Sequence, residues 1–89
     1  MVRVSFAASL IKHIHAAPTD VDAASVREAL NAVFEQFPGL RGYVLDDQNH
    51  VRQHVTIFIN NQTISDRFAL NDRLADGDEV YVFQALSGG

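Results

Sequence analysis

The sequence ends Leu86-Ser87-Gly88-Gly89, and this end is the segment best suited to chemistry. Two glycines make a thin, unbranched tail that can enter a channel any side chain would block. Without Cβ atoms, the backbone can also approach a nucleotide phosphate closely. The reactive group is the Gly89 carboxylate. A carboxylate is a poor acyl donor; adenylation gives it a good leaving group, and a sulfur nucleophile could then produce a thiocarboxylate. Alone, two glycines equally describe a frayed end. Here they follow a strongly patterned strand across a short spacer, Gln84-Ala85-Leu86-Ser87, which favours the reactive reading. The expected organisation is a folded domain over residues 1–85 and a flexible tail over 86–89.

Other chemistries find less support. With no cysteine there is no disulfide, thiolate metal site or cysteine nucleophile, so any sulfur handled must be carried elsewhere than on a thiol of the chain. His13 and His15 share a strand face by period-two geometry, and His50 and His54 could add ligands. No cysteine or clustered carboxylate completes a zinc site, so solvated histidines are expected and no metal. Asp76, Asp78 and Glu79 lack the spacing of a calcium-binding helix-loop-helix and read as a charged turn. Ser87 has no partner base and reads as a polar spacer.

The rest of the chain must position that tail. Its 89 residues make one domain, and a 47% hydrophobic content is ordinary for a globular protein. No apolar run approaches the ~20 residues of a membrane span, and Met1 to Phe6 lacks the features of a signal peptide, so a cytoplasmic protein is expected. The formal net charge is −4, with one lysine, Lys12, and scattered arginines, which gives no footprint for nucleic acid. An acidic surface suits docking on basic partner surfaces.

Val2, Val4 and Phe6 alternate with polar residues as a half-buried strand, and Leu10 to His15 reads as the returning strand of a hairpin. Pro18-Thr19-Asp20 marks a loop. Ser25-Val26-Arg27-Glu28 has the capping-box form, followed by a helical stripe of Val26, Leu30, Val33, Phe34 and Phe37 that ends at Pro38-Gly39. Tyr43-Val44-Leu45 and Val51 could pair across a polar turn. Val55, Ile57 and Ile59 alternate in a clear strand that turns at Asn60-Asn61. An irregular crossover with a short helical turn leads to the turn Asp76-Gly77-Asp78 and a last strand through Val80 and Val82. One main helix across one face of a mixed sheet is the α+β, β-grasp arrangement. Alternation then sends Phe58, Tyr81 and Phe83 to the open face. Those aromatics, with Leu86 at the root of the tail, are the expected partner-docking surface, unless neighbouring side chains cover them.

The chain resembles the ThiS/MoaD family of ubiquitin-like sulfur carriers. The matching stretches are Ser25 to Leu30, Leu40-Arg41 with Leu45-Asp46-Asp47, Val55 to Asn61, Leu74 to Val80 and the Leu86-Ser87-Gly88-Gly89 tail. The longer middle hairpin is similar to the branch that includes the CysO-type carrier of cysteine biosynthesis. Asn61 stands where the family usually has glycine, and Gln84-Ala85 where it often has proline. The resemblance implies a carrier with no catalytic residues and no bound cofactor. An E1-like adenylyltransferase with ATP and magnesium would adenylate Gly89. A rhodanese-type sulfurtransferase or a cysteine desulfurase would supply sulfur. An acceptor enzyme would use the thiocarboxylate for cysteine, molybdopterin, thiazole or a specialised metabolite. Two rivals stand beside it: a ubiquitin-like modifier conjugated through Gly89 to target lysines, and a β-grasp interaction subunit with an inert tail.

Overall fold

The computed structural model describes residues 1–7 and 17–84. Among these residues, five strands form one mixed sheet in the order β2-β1-β5-β3-β4. They are β1 (Val2–Phe6), β2 (Thr19–Val21), β3 (Val55–Ile59), β4 (Gln62–Thr63) and β5 (Glu79–Gln84). The last of the described strands is therefore the central one of the five. It runs parallel to β1, with Arg3 opposite Glu79 and Phe6 opposite Val82, and antiparallel to β3, with Val55 opposite Gln84 and Ile59 opposite Val80.

Helix α1 (Val26–Gln36) lies across one face. Ser25 caps it by accepting the Glu28 amide at 3.2 Å. The Glu28 carboxylate reaches back to the Ala24 amide at 3.1 Å, one residue earlier than a capping box would have it. The expected stripe is buried at Val26, Leu30, Val33 and Phe34; Ala29 joins it, and Phe37 packs at its margin. The other half of the core comes from alternate strand positions, Val2, Val4 and Phe6, Val55 and Ile57, Val80 and Val82. This is the β-grasp arrangement expected from the sequence.

Two local readings change, and a third lies outside the described residues. The segment expected as a loop at Pro18-Thr19-Asp20 carries edge strand β2, which pairs antiparallel with β1 through Asp20 and Thr19. Pro18 stands just outside it, where no ladder hydrogen bond is asked of it. The returning strand read at Leu10 to His15 lies outside the described residues. Tyr43-Val44 is helical: Pro38–Leu40 forms a 3₁₀ turn that runs into a short helix, α2 (Arg41–Val44). Leu40 and Val44, four apart, both point into the core, and that burial outweighs the strand preference of Tyr43-Val44. Only a single bridge, Leu45 to Val51, remains of the expected pairing.

Two turns hold the sheet's charged end. Asn60 turns the chain at φ 57° and ties it to the last strand: its amide nitrogen donates to Asp78 at 3.1 Å and its side-chain oxygen accepts the Glu79 amide at 3.2 Å. Gly77 enters β5 at φ 90°, a region that a side chain disfavours.

Candidate functional site

Period-two alternation along β5 separates Val80 and Val82, buried under the helix, from Tyr81 and Phe83 on the opposite face. On β3, Phe58 faces the same way and sits directly across from Tyr81. The three rings form one stack. Phe83 lies between the others, 5.3 Å from Phe58 and 5.7 Å from Tyr81, with near-parallel planes in the first case. Phe58 and Phe83 are half-buried against each other, while Tyr81 keeps 42% of its surface exposed. Their smaller neighbours in register, Ser5, Thr56 and Thr63, leave the stack standing proud of the sheet.

The same face changes character along its length. At the Glu79 end the Arg3 guanidinium pairs with Asp20 at 2.9 Å across β1 and β2. The hydrogen bond from Arg3 holds the Asp20 carboxyl below its ordinary value, and Arg3 is raised in return. At the Gln84 end the surface is aromatic. The chain passes from Phe83 through Gln84 into the Gly-Gly tail, so the tail is rooted at the aromatic end. Of the docking residues expected from sequence, Phe58, Tyr81 and Phe83 are thus brought together. Leu86, Ser87, Gly88 and Gly89 lie outside the described residues, as do His13 and His15.

The histidine and aspartate candidates have other occupations. His50 packs edge-on against Phe68, with ring centres 4.9 Å apart, and His54 is exposed in the turn before β3. Asp78 accepts the Ala75 amide at 2.8 Å and the Asn60 side chain, which hold its carboxyl below the usual range. Among the described residues, no group of three or more histidine, aspartate or glutamate side chains is arranged to hold a metal ion.

One feature carries no signal in the sequence. A cleft of about 470 Å³ lies on the helix side of the sheet, between α1, the Arg41–His50 segment and the loop at Phe68 to Leu70. Its residues are drawn from three distant stretches that only the fold assembles.

A family model described as the ThiS family matches residues 7–89. Small archaeal modifier protein 1 of Haloferax volcanii is 34% identical over 71 residues, which cover 79% of this chain and 77% of that protein. A crystal structure of that modifier superposes with a TM-score of 0.78 at 27% identity, covering 99% of this chain and 98% of the other. A chain of the Amycolatopsis orientalis BexX/CysO complex has a TM-score of 0.81 at 22% identity, with both chains fully covered, and so shares the ubiquitin-like fold.

Proposed function

The chain belongs to the ThiS family of small ubiquitin-like carrier proteins, and from that premise we propose that it carries sulfur on its C-terminal glycine for a biosynthetic acceptor. The observation that supports this most directly is the aromatic stack at the root of the tail. A partner that draws in a Gly-Gly tail must cover the surface from which it leaves. Phe58, Tyr81 and Phe83 supply there an apolar anchor of the kind that dominates protein interfaces. The carrier itself needs no catalytic group. A Gly89 carboxylate oxygen attacks the α-phosphorus of ATP, held with magnesium on an E1-like adenylyltransferase, and pyrophosphate leaves. A persulfide sulfur from a sulfurtransferase or cysteine desulfurase then displaces AMP, and a thiol cleaves the acyl persulfide, leaving the thiocarboxylate and a disulfide. An acceptor enzyme takes the sulfur. These reactants put the chemistry in the cytoplasm.

A second reading, conjugation through Gly89 to a lysine of a target, is favoured by one observation, the 34% identity to an archaeal protein named as a modifier. Both readings share the adenylate. Incubation with the activating enzyme, ATP, magnesium and a persulfide donor separates them by intact mass. Replacement of one oxygen by sulfur on the free chain supports the carrier; isopeptide-linked adducts support the modifier. Deleting Gly89 should abolish either product and leave the melting curve unchanged. Equal sulfur loading of the truncated chain would refute the assignment of Gly89.

A further inference from the structure

The helix-side cleft has a composition at odds with the chain as a whole. The protein carries a net charge of −4, yet the cleft is lined by Arg27, Arg41 and His50 and by no carboxylate. Its polar remainder is amide, Asn31, Gln48 and Asn49. Its floor is apolar: Leu30, Leu45 and Leu70 are buried there, and Phe68 stands at the rim with 70% of its surface exposed. Among the described side chains, Arg3 is the one arginine paired with a carboxylate; Arg27 and Arg41 have no such partner. Arg27 donates its Nε to the Ala69 carbonyl, which fixes the stem and leaves its terminal nitrogens available. Arg41 uses one nitrogen on Asn49. Glu35 lines the adjoining depression that Arg41 also borders, not the cleft.

The walls are set in advance. Asp46 accepts the Gln48 and His50 amides at 2.8 and 3.0 Å, and Asp66 accepts those of Phe68, Ala69 and Asn71 at 2.9 to 3.2 Å. These two acids therefore hold the loops that frame the cleft. Leu70 is kept at φ 59° with its carbonyl on the Arg27 amide. A surface ordered before binding avoids part of the entropy cost of association.

We propose that this cleft docks an acidic peptide segment of a partner protein that presents an apolar anchor between its carboxylates. The anchor meets Phe68 and the leucine floor, and flanking carboxylates reach Arg27 and Arg41. Charge complementarity selects this occupant: guanidinium groups favour paired carboxylate contacts, and the open shape suits a segment lying along α1. The cleft is on the opposite side of the sheet from the aromatic stack, so occupancy needs neither the tail nor the Tyr81 surface.

The test uses the full-length protein and three short labelled peptides. One has Leu-Phe flanked on both sides by glutamates, one has serines in place of Leu-Phe, and one has lysine flanks. Anisotropy should show binding of the first alone, weakened by salt. Amide shifts in an NMR titration should fall on Arg27, Asn31, Gln48 to His50 and Ala69. Arg41→Glu and Phe68→Ala should each lower affinity by about tenfold or more, the first through charge reversal and the second through loss of the anchor contact. Phe68 is exposed, so its variant tests the site without threatening the fold, and a dispersed amide spectrum verifies both. Equal binding of glutamate- and lysine-flanked peptides, no binding of any, shifts on β3 and β5, or wild-type affinity in the folded variants would each overturn the site.

Discussion

Replacing Phe83 by alanine should harm both stability and docking, and the two effects can be separated within the same aromatic stack. Phe83 touches both neighbours, at 5.3 and 5.7 Å, whereas Tyr81 contacts the stack from one end. An aromatic pair contributes ~0.5–1.5 kcal/mol beyond simple burial. Phe83→Ala removes two such pairs and should cost about 2 kcal/mol of folding stability. Tyr81→Ala removes one and should cost about 1 kcal/mol. For a domain of this size, each kcal/mol lowers the melting temperature by roughly 4–8 °C. Melts of wild type, Tyr81→Ala and Phe83→Ala should therefore fall in that order. Binding should follow a different pattern. Tyr81 is the ring most open to a partner, with 42% of its surface exposed, so its loss should weaken association with the adenylating enzyme by about 2 kcal/mol, roughly thirtyfold. Titration calorimetry at a temperature where all three proteins are folded measures this. Wild-type melting of Phe83→Ala would refute the coupling of the rings. Wild-type affinity of Tyr81→Ala would refute this face as the docking surface.

Acid should loosen the loops and the charged end of the sheet together. Backbone amides hold Asp46, Asp66 and Asp78 below the ordinary aspartate value of 3.8, chiefly through the amides of His50, Ala69 and Ala75 respectively. A carboxyl depressed on folding stabilises the protein above its unfolded pKa, and that contribution is lost as pH falls through the folded value. Stability should be level between about pH 5 and 7 and decline below about pH 4; Asp66→Asn should shallow the decline in a series of denaturant melts. At the turn into β5, a Cβ built on Gly77 meets nothing within 4 Å, so the cost of Gly77→Ala comes from φ 90° alone. It should be about 1–2 kcal/mol by chemical denaturation, and an unchanged midpoint would show that the turn relaxes.

What could be read in the sequence was whatever repeats with the period of one element. Val55, Ile57 and Ile59, with Val80 and Val82, announced two strands and thereby the face of Phe58, Tyr81 and Phe83. Ser25 and Glu28 announced the start of a helix, and Asp76-Gly77-Asp78 a turn. Three-residue β2 has too few positions to show a period, and Pro18 beside it reads as a loop. Tyr43-Val44 has a strand-like composition, but its geometry is decided by Leu40 and Val44 reaching the core together. The helix-side cleft was invisible for another reason. Arg27, Arg41 and Phe68 share no motif; the turn after α1 places Arg41, and the path of the chain between β3 and β5 brings Phe68 to them.

The central position of β5 has a consequence for how the protein is made. Its ladder with β1 joins residue 3 to residue 79, so the middle of the sheet closes only when everything between them is free. Contacts of such span are slow to form and cannot form piecemeal. A ribosome releases β1, α1 and β3 before the strand that unites them. Until then Val2, Val4 and Ile57 lack their shared neighbour. The sheet is thus completed only once β5 is available, and a chain broken off before Glu79 has no central strand. A break within or before β5 therefore removes, along with everything after it, the one strand that joins β1 to β3.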